Sequence, residues 1–163
     1  MSAPIVILAV GNPSRGDDAI GPILHERLAA WLRDTPMAGQ FELIEDFQLN
    51  IEHALDLVGR ELALFIDAGE GTPAPFRFTR IEPAPGIAHS SHELPPEAVL
   101  EVYRRTMQQE PPPSYVLCVR GEAFELGQPP GPAAQANIEL AWRCLQQLFR
   151  EPDRASWDRQ LSA

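Results

Sequence analysis

Residues 4–10 read "PIVILAV", a run with no polar side chain for either face of a β-strand. A half-exposed strand alternates apolar and polar residues, so this run predicts a strand covered on both faces. Such strands belong to parallel sheets sandwiched between helices. "LALFID" (62–67) and "YVLCVRG" (115–121) repeat the sign, and "FELIED" (41–46) is a further strand.

Between these runs the period changes. Ile20, Ile23, Leu24, Leu28, Trp31 and Leu32 fall at helical spacing, which predicts a helix over about 19–33. "IEHALDLVG" (51–59) is a short helix stopped by Gly59. A helix carrying "EAVLEVYRRTMQQ" starts near Pro95, and a last one runs from about Ala133 to Phe149. "PFRFTRIEP" alternates Phe76, Phe78 and Ile81 against polar residues, which predicts a half-exposed edge strand, antiparallel to the others. Strands alternating with helices predict an α/β fold: a doubly wound, mainly parallel sheet in a three-layer αβα arrangement. One domain is expected over 1–150, with 151–163 as a loosely held tail, because that stretch is polar apart from Trp157 and Leu161.

Charge narrows the partners. Thirteen Lys and Arg against 23 Asp and Glu give a net charge of −10, which disfavours nucleic acid and anionic membrane surfaces. The N-terminus lacks a basic targeting region, and its apolar run is far short of the ~20 residues of a spanning helix. A cytoplasmic protein is expected. Cys118 and Cys144 are isolated in strand-like and helix-like runs and read as small hydrophobes rather than a disulfide or zinc pair.

In a sheet of this kind, ligands bind beyond the carboxyl ends of the strands. The segments there are rich in ligand-type side chains: Asp17 and Asp18 after the first strand, Glu45 and Asp46 closing the second, Asp67 closing the third. His89 and His92 occupy the loop after "FRFTRI". Each has an ordinary structural explanation alone; Asp17 is placed to cap the first helix and Asp18 to sit in its first turn. Together, carboxylates on neighbouring strand ends about 4.8 Å apart can share one cation, and two carboxylates with an imidazole suit a divalent first-row metal. "GNPSRGDD" (11–18) has the glycine spacing of a phosphate-binding loop, but Asp17 and Asp18 stand where its Lys and Ser or Thr would be. Nucleotide hydrolysis is disfavoured on that ground. With no G-x-S-x-G elbow and no H-E-x-x-H helix, hydrolysis would use water activated by a metal or a carboxylate.

"ILAVGNPSRGDDAIG", "LFIDAGEG" and "SSHELPPEAVL", in this order, resemble the [NiFe]-hydrogenase maturation proteases over nearly the whole chain. These endopeptidases trim the C-terminal extension of a hydrogenase large-subunit precursor after nickel insertion. The resemblance implies that Asp18, Asp67 and His92 contact nickel supplied by the precursor and form the catalytic trio. No permanently bound organic cofactor is implied. Gly11, Asn12, Asp17 and Asp46 are the candidate substrate contacts. "GNPSRGDD", "DFQLNIEHALDL" and "PPPSYVLCVRGEAFELG" look most like the branch serving cytoplasmic NAD-reducing hydrogenases. "EDFQLN" stands where the family commonly has "DGGT", with Asp46 at the equivalent acidic position. Two other readings stay open: a non-catalytic metal-sensing chaperone of hydrogenase assembly, and a metal-dependent hydrolase of small molecules.

Overall fold

The computed structural model describes residues 2–86 and 94–163. Five strands form one sheet: β1 (Ile5–Val10), β2 (Phe41–Asp46), β3 (Leu62–Gly69), β4 (Phe76–Ile81) and β5 (Ser114–Arg120). Their order is β2-β1-β3-β5-β4, parallel throughout except for β4, which runs antiparallel to β5 at one edge. The helices are α1 (Ile20–Leu32), α2 (Pro96–Met107), α3 (Pro132–Arg150) and α4 (Arg154–Arg159). A tight 3-10 turn, Gly16–Ala19, leads into α1, and the expected short helix after β2 is a 3-10 helix, Ile51–Leu57.

The apolar runs explain the layers. Successive strand side chains point to opposite faces, and both faces here are covered. Ile5, Ile7 and Ala9 of β1 and Leu62, Leu64 and Ile66 of β3 meet α1 through Leu24 and Leu28 and α3 through Ile138 and Leu145. Val6, Leu8 and Val10 with Ala63 and Phe65 meet Ala54 and Leu57 of the 3-10 helix and Val99, Leu100 and Tyr103 of α2. Each fully buried Val, Leu, Ile or Phe side chain contributes roughly 1.5–3 kcal/mol. The result is the expected doubly wound, three-layer α/β fold.

The tail differs from expectation. Residues 154–159 form α4, and Trp157 is 0% exposed, packed edge-on against Tyr115 and Phe78. Its indole Nε1 donates to the Leu148 carbonyl at 2.9 Å, and the Tyr115 hydroxyl donates to Asp158 at 2.6 Å. Beyond α4, the Ser162 N–H donates to the Phe78 carbonyl at 2.8 Å and its hydroxyl accepts from the Phe78 N–H at 2.9 Å, so the chain end covers the open edge of β4. This segment is part of the folded core.

Strand order locates the site. From β1 the chain crosses to β2 on one side, whereas β3 leads to β4 and β5 on the other. The connections therefore diverge at the carboxyl ends of β1 and β3, the position at which an open α/β sheet forms its binding crevice.

Candidate functional site

A small polar cleft of about 270 Å³ lies at that crevice. Its walls are Val10, Gly11, Asn12, Arg15 and Asp18 after β1, Phe47 and Gln48 after β2, and Asp67 and Ala68 on β3. Asp18 and Asp67, 49 residues apart in the chain, thus face one space.

Glycine lets the first loop reach this position. Gly11 has φ +148°, and a Cβ there would lie 2.1 Å from the Asp18 carbonyl oxygen. The chain consequently doubles back tightly enough for the Asn12 N–H to donate to Asp18 Oδ2 at 2.8 Å. That bond aims the carboxylate into the cleft. On β3, the Ala68 N–H donates to Asp67 Oδ1 at 2.7 Å and fixes the second carboxylate in the same way. Among the described residues, no three His, Cys, Asp or Glu side chains are grouped as a metal site. His92 and His89 lie outside the described residues.

Asp17 has a different task from the one expected. It neither caps α1 nor faces the cleft; it is 1% exposed and points into the 121–131 loop. Its Oδ2 accepts from the N–H groups of Glu122 (2.7 Å) and Ala123 (3.0 Å), and its Oδ1 from Gly131 (2.9 Å). Burial alone would push this carboxyl upward, but the Glu122, Ala123 and Gly131 donors outweigh it and hold the group below the ordinary carboxylate range. A carboxylate so enclosed cannot also touch substrate. Backbone bonds reinforce the joint: Gly16 N–H to Gln128 O (2.9 Å), Asp17 N–H to Ala123 O (2.7 Å) and Gly127 N–H to Ser14 O (2.7 Å). Gly16 has φ +55°, and a Cβ there would meet the Ala123 carbonyl oxygen at 2.4 Å.

Asp46, another candidate substrate contact, stands beside the cleft. It is exposed and outside the cleft walls, its Oδ1 accepting from the Phe47 N–H at 2.7 Å and its Oδ2 lying 3.3 Å from His53 Nε2. His53 Nδ1 accepts from the Asn50 N–H at 3.0 Å, so Asp46 and His53 brace the 46–53 turn whose residues Phe47 and Gln48 do line the cleft. Glu45 projects to the other sheet face, 3.8 Å from His25 Nε2. Gly11 and Asn12 are cleft residues. Cys118 is half-buried inside β5, with Sγ 2.9 Å from Thr72 Oγ1. Burial pushes its thiol up, and that of Cys144 up to about 11, so neither is an activated thiolate.

Sequence reasoning missed Arg15, Phe47 and Gln48. Arg15 stands between Asn12 and Asp18 in the same short loop, and that proximity was the available signal. Its Nε donates to the Phe124 carbonyl at 3.0 Å, so the 121–131 loop also sets where this side chain lies.

No protein-family model matches the chain, and no curated protein matches it by sequence. Solved structures do match its fold. The hydrogenase maturating endopeptidase HybD from E. coli superposes with a TM-score of 0.73 at 26% identity, over 93% of this chain and 94% of that one. An endopeptidase from Escherichia coli gives 0.69, also at 26% identity, over 93% and 94%. The [NiFe] hydrogenase maturation protease HycI from Thermococcus kodakarensis KOD1 gives 0.67 at 23% identity, over 91% and 93%. The fold is that of the hydrogenase maturation endopeptidases, and the two likenesses at 26% identity support a peptidase of that kind.

Proposed function

We propose that this chain is an endopeptidase that removes the C-terminal extension of a [NiFe]-hydrogenase large-subunit precursor after nickel insertion. The observation that carries the reading is that Asp18 and Asp67 line one polar cleft at the carboxyl ends of β1 and β3, in a fold shared with maturation endopeptidases. In this reading Asp18, Asp67 and His92 complete the coordination of nickel held by the precursor, and that docking fixes one peptide bond for hydrolysis. A nickel-free precursor lacks those bonds and is held too weakly or out of register. The gate is the difference in binding free energy between the two precursor states.

The cleft's chemistry suits a peptide: pockets that enclose small ligands are lined mostly by apolar side chains, whereas Asn12, Arg15, Asp18, Gln48 and Asp67 make most of this one's accessible surface polar. By resemblance of the loops, the precursor belongs to a cytoplasmic NAD-reducing hydrogenase, and the protease works in that compartment. Among the described residues no helix is long and apolar enough to cross a membrane.

The test is to incubate the protein with nickel-loaded and nickel-free precursor and follow the mass of the large subunit. Loss of the extension from the loaded form alone is expected. Equal cleavage of both forms would remove the nickel gate. Binding without cleavage of either would favour the chaperone reading.

A further inference from the structure

The cleft carries two carboxylates, and peptide hydrolysis would place a negative charge on a substrate oxygen, where the carboxylates themselves do not neutralise it. When water attacks the scissile carbonyl, its oxygen bonds to the carbon and the C=O electron pair moves onto the carbonyl oxygen. The water proton passes to a carboxylate and then to the amine that leaves as the C–N bond breaks. The oxyanion formed between these steps needs donors aimed at it, commonly backbone N–H groups.

Here most of those groups are already committed, that of Gln48 being the exception on the cleft walls. Gly11 N–H donates to the Asp46 carbonyl (3.1 Å), Arg15 N–H to Asn12 O (3.1 Å) and Asp18 N–H to Arg15 O (3.0 Å). The N–H groups of Asn12, Phe47 and Ala68 are held by the carboxylates of Asp18, Asp46 and Asp67. Among the described residues one cationic side chain lines the cleft, Arg15. It forms no salt bridge among the described residues, and only its Nε has a hydrogen-bond acceptor, the Phe124 carbonyl at 3.0 Å. That anchor leaves the two terminal nitrogens for a ligand while limiting the freedom of the side chain. Its backbone is fixed as well, since Gly16 and Asp17 are bonded to the 121–131 loop.

We infer that Arg15 is a catalytic residue of this endopeptidase, donating from its guanidinium to the oxyanion of the scissile peptide. This rests on the proposed peptidase reading and adds a group that the acidic pair cannot supply. The interaction strengthens as charge develops on the oxygen, so it acts on turnover more than on precursor affinity. Lys could supply charge but not the forked, Phe124-anchored geometry.

The experiment compares wild type, Arg15→Lys, Arg15→Met and Arg15→Ala on nickel-loaded precursor. Arg15→Met is expected to lower kcat by about 10²–10³-fold, the scale of one oxyanion donor, with KM changed less than about threefold. Arg15→Lys should retain an intermediate rate. Added guanidinium ion should restore part of the Arg15→Ala rate, a rescue that a merely structural role would not give. Melting temperatures and precursor binding of all variants should match wild type. Wild-type-like kcat in Arg15→Met, a loss confined to KM, or no rescue by guanidinium would overturn the assignment while leaving the peptidase reading intact. Failure of wild type itself to cleave would count against that reading and the assignment together.

Discussion

Asp17 and Asp18 are neighbours of identical chemistry, yet one is buried as an internal anchor and the other faces the cleft. The 3-10 turn that contains both explains the split, because about three residues per turn rotate consecutive side chains by roughly 120°. The pair was visible in the sequence, but its division of labour depends on where the 121–131 loop lies, which no local spacing encodes. Replacing Asp17 with Asn removes the charge and sets an amide N–H₂ against backbone donors. Each bond to a charged group is worth about 1.5–3 kcal/mol, so a loss of at least about 2 kcal/mol is expected in urea melts. The depressed carboxyl also fixes the sign of the pH dependence. Asp17 stabilises the fold fully above its unfolded pKa of about 3.9, and that stability is lost as pH falls through its lower folded value. The wild-type advantage over Asp17→Asn should therefore be complete at neutral pH and shrink in acid. Asp18→Asn and Asp67→Asn are expected to do the reverse. Each should lower precursor cleavage by about 10²-fold or more, the scale of losing a charged group at a reacting centre, with stability changed by less than about 1 kcal/mol. Parallel cleavage assays and thermal melts on the two variants check this.

At the scale of elements, β1, β3 and the main helices were legible because their signals are local: unbroken apolar runs, or a 3.6-residue period. The edge position of β4 followed from alternation in "PFRFTRI". What escaped was α4. Trp157 and Leu161 stand nearly alone in a polar stretch, and the rings that receive Trp157, Phe78 and Tyr115, come from far back in the chain. A lone aromatic carries no period to read. Trp157→Ala should cost about 3–5 kcal/mol, as for other large aromatic truncations in a core. It should also expose the β4 edge, since Ser162 would lose its seat against Phe78. Urea unfolding and hydrogen exchange at the Phe78 amide measure the two effects. The cleft was legible in part: Gly11, Asn12 and Asp18 follow β1 and Asp67 lies near the carboxyl end of β3, as the sheet rule requires, whereas Arg15 and Gln48 belong to it through loop shape.

Across the whole molecule, the two apolar layers share one sheet, with every β1 side chain buried. Trp31, Trp142 and Trp157 all lie on the α1–α3–α4 side, so tryptophan fluorescence reports only one layer. If both layers unfold together, the fluorescence and far-ultraviolet circular dichroism transitions in urea should coincide. A circular dichroism change preceding the fluorescence change would mean that α2 and the 51–57 helix detach first.

The joint between the Asp17 turn and the 121–131 loop has a consequence at a distance. That loop contributes none of the cleft's walls, yet it acts as the mould in which Asp18 and Arg15 are cast. A single proteolytic nick between Glu122 and Gly131 would leave each reactive group chemically whole and still disarm the molecule, because the shape would relax while the parts remained.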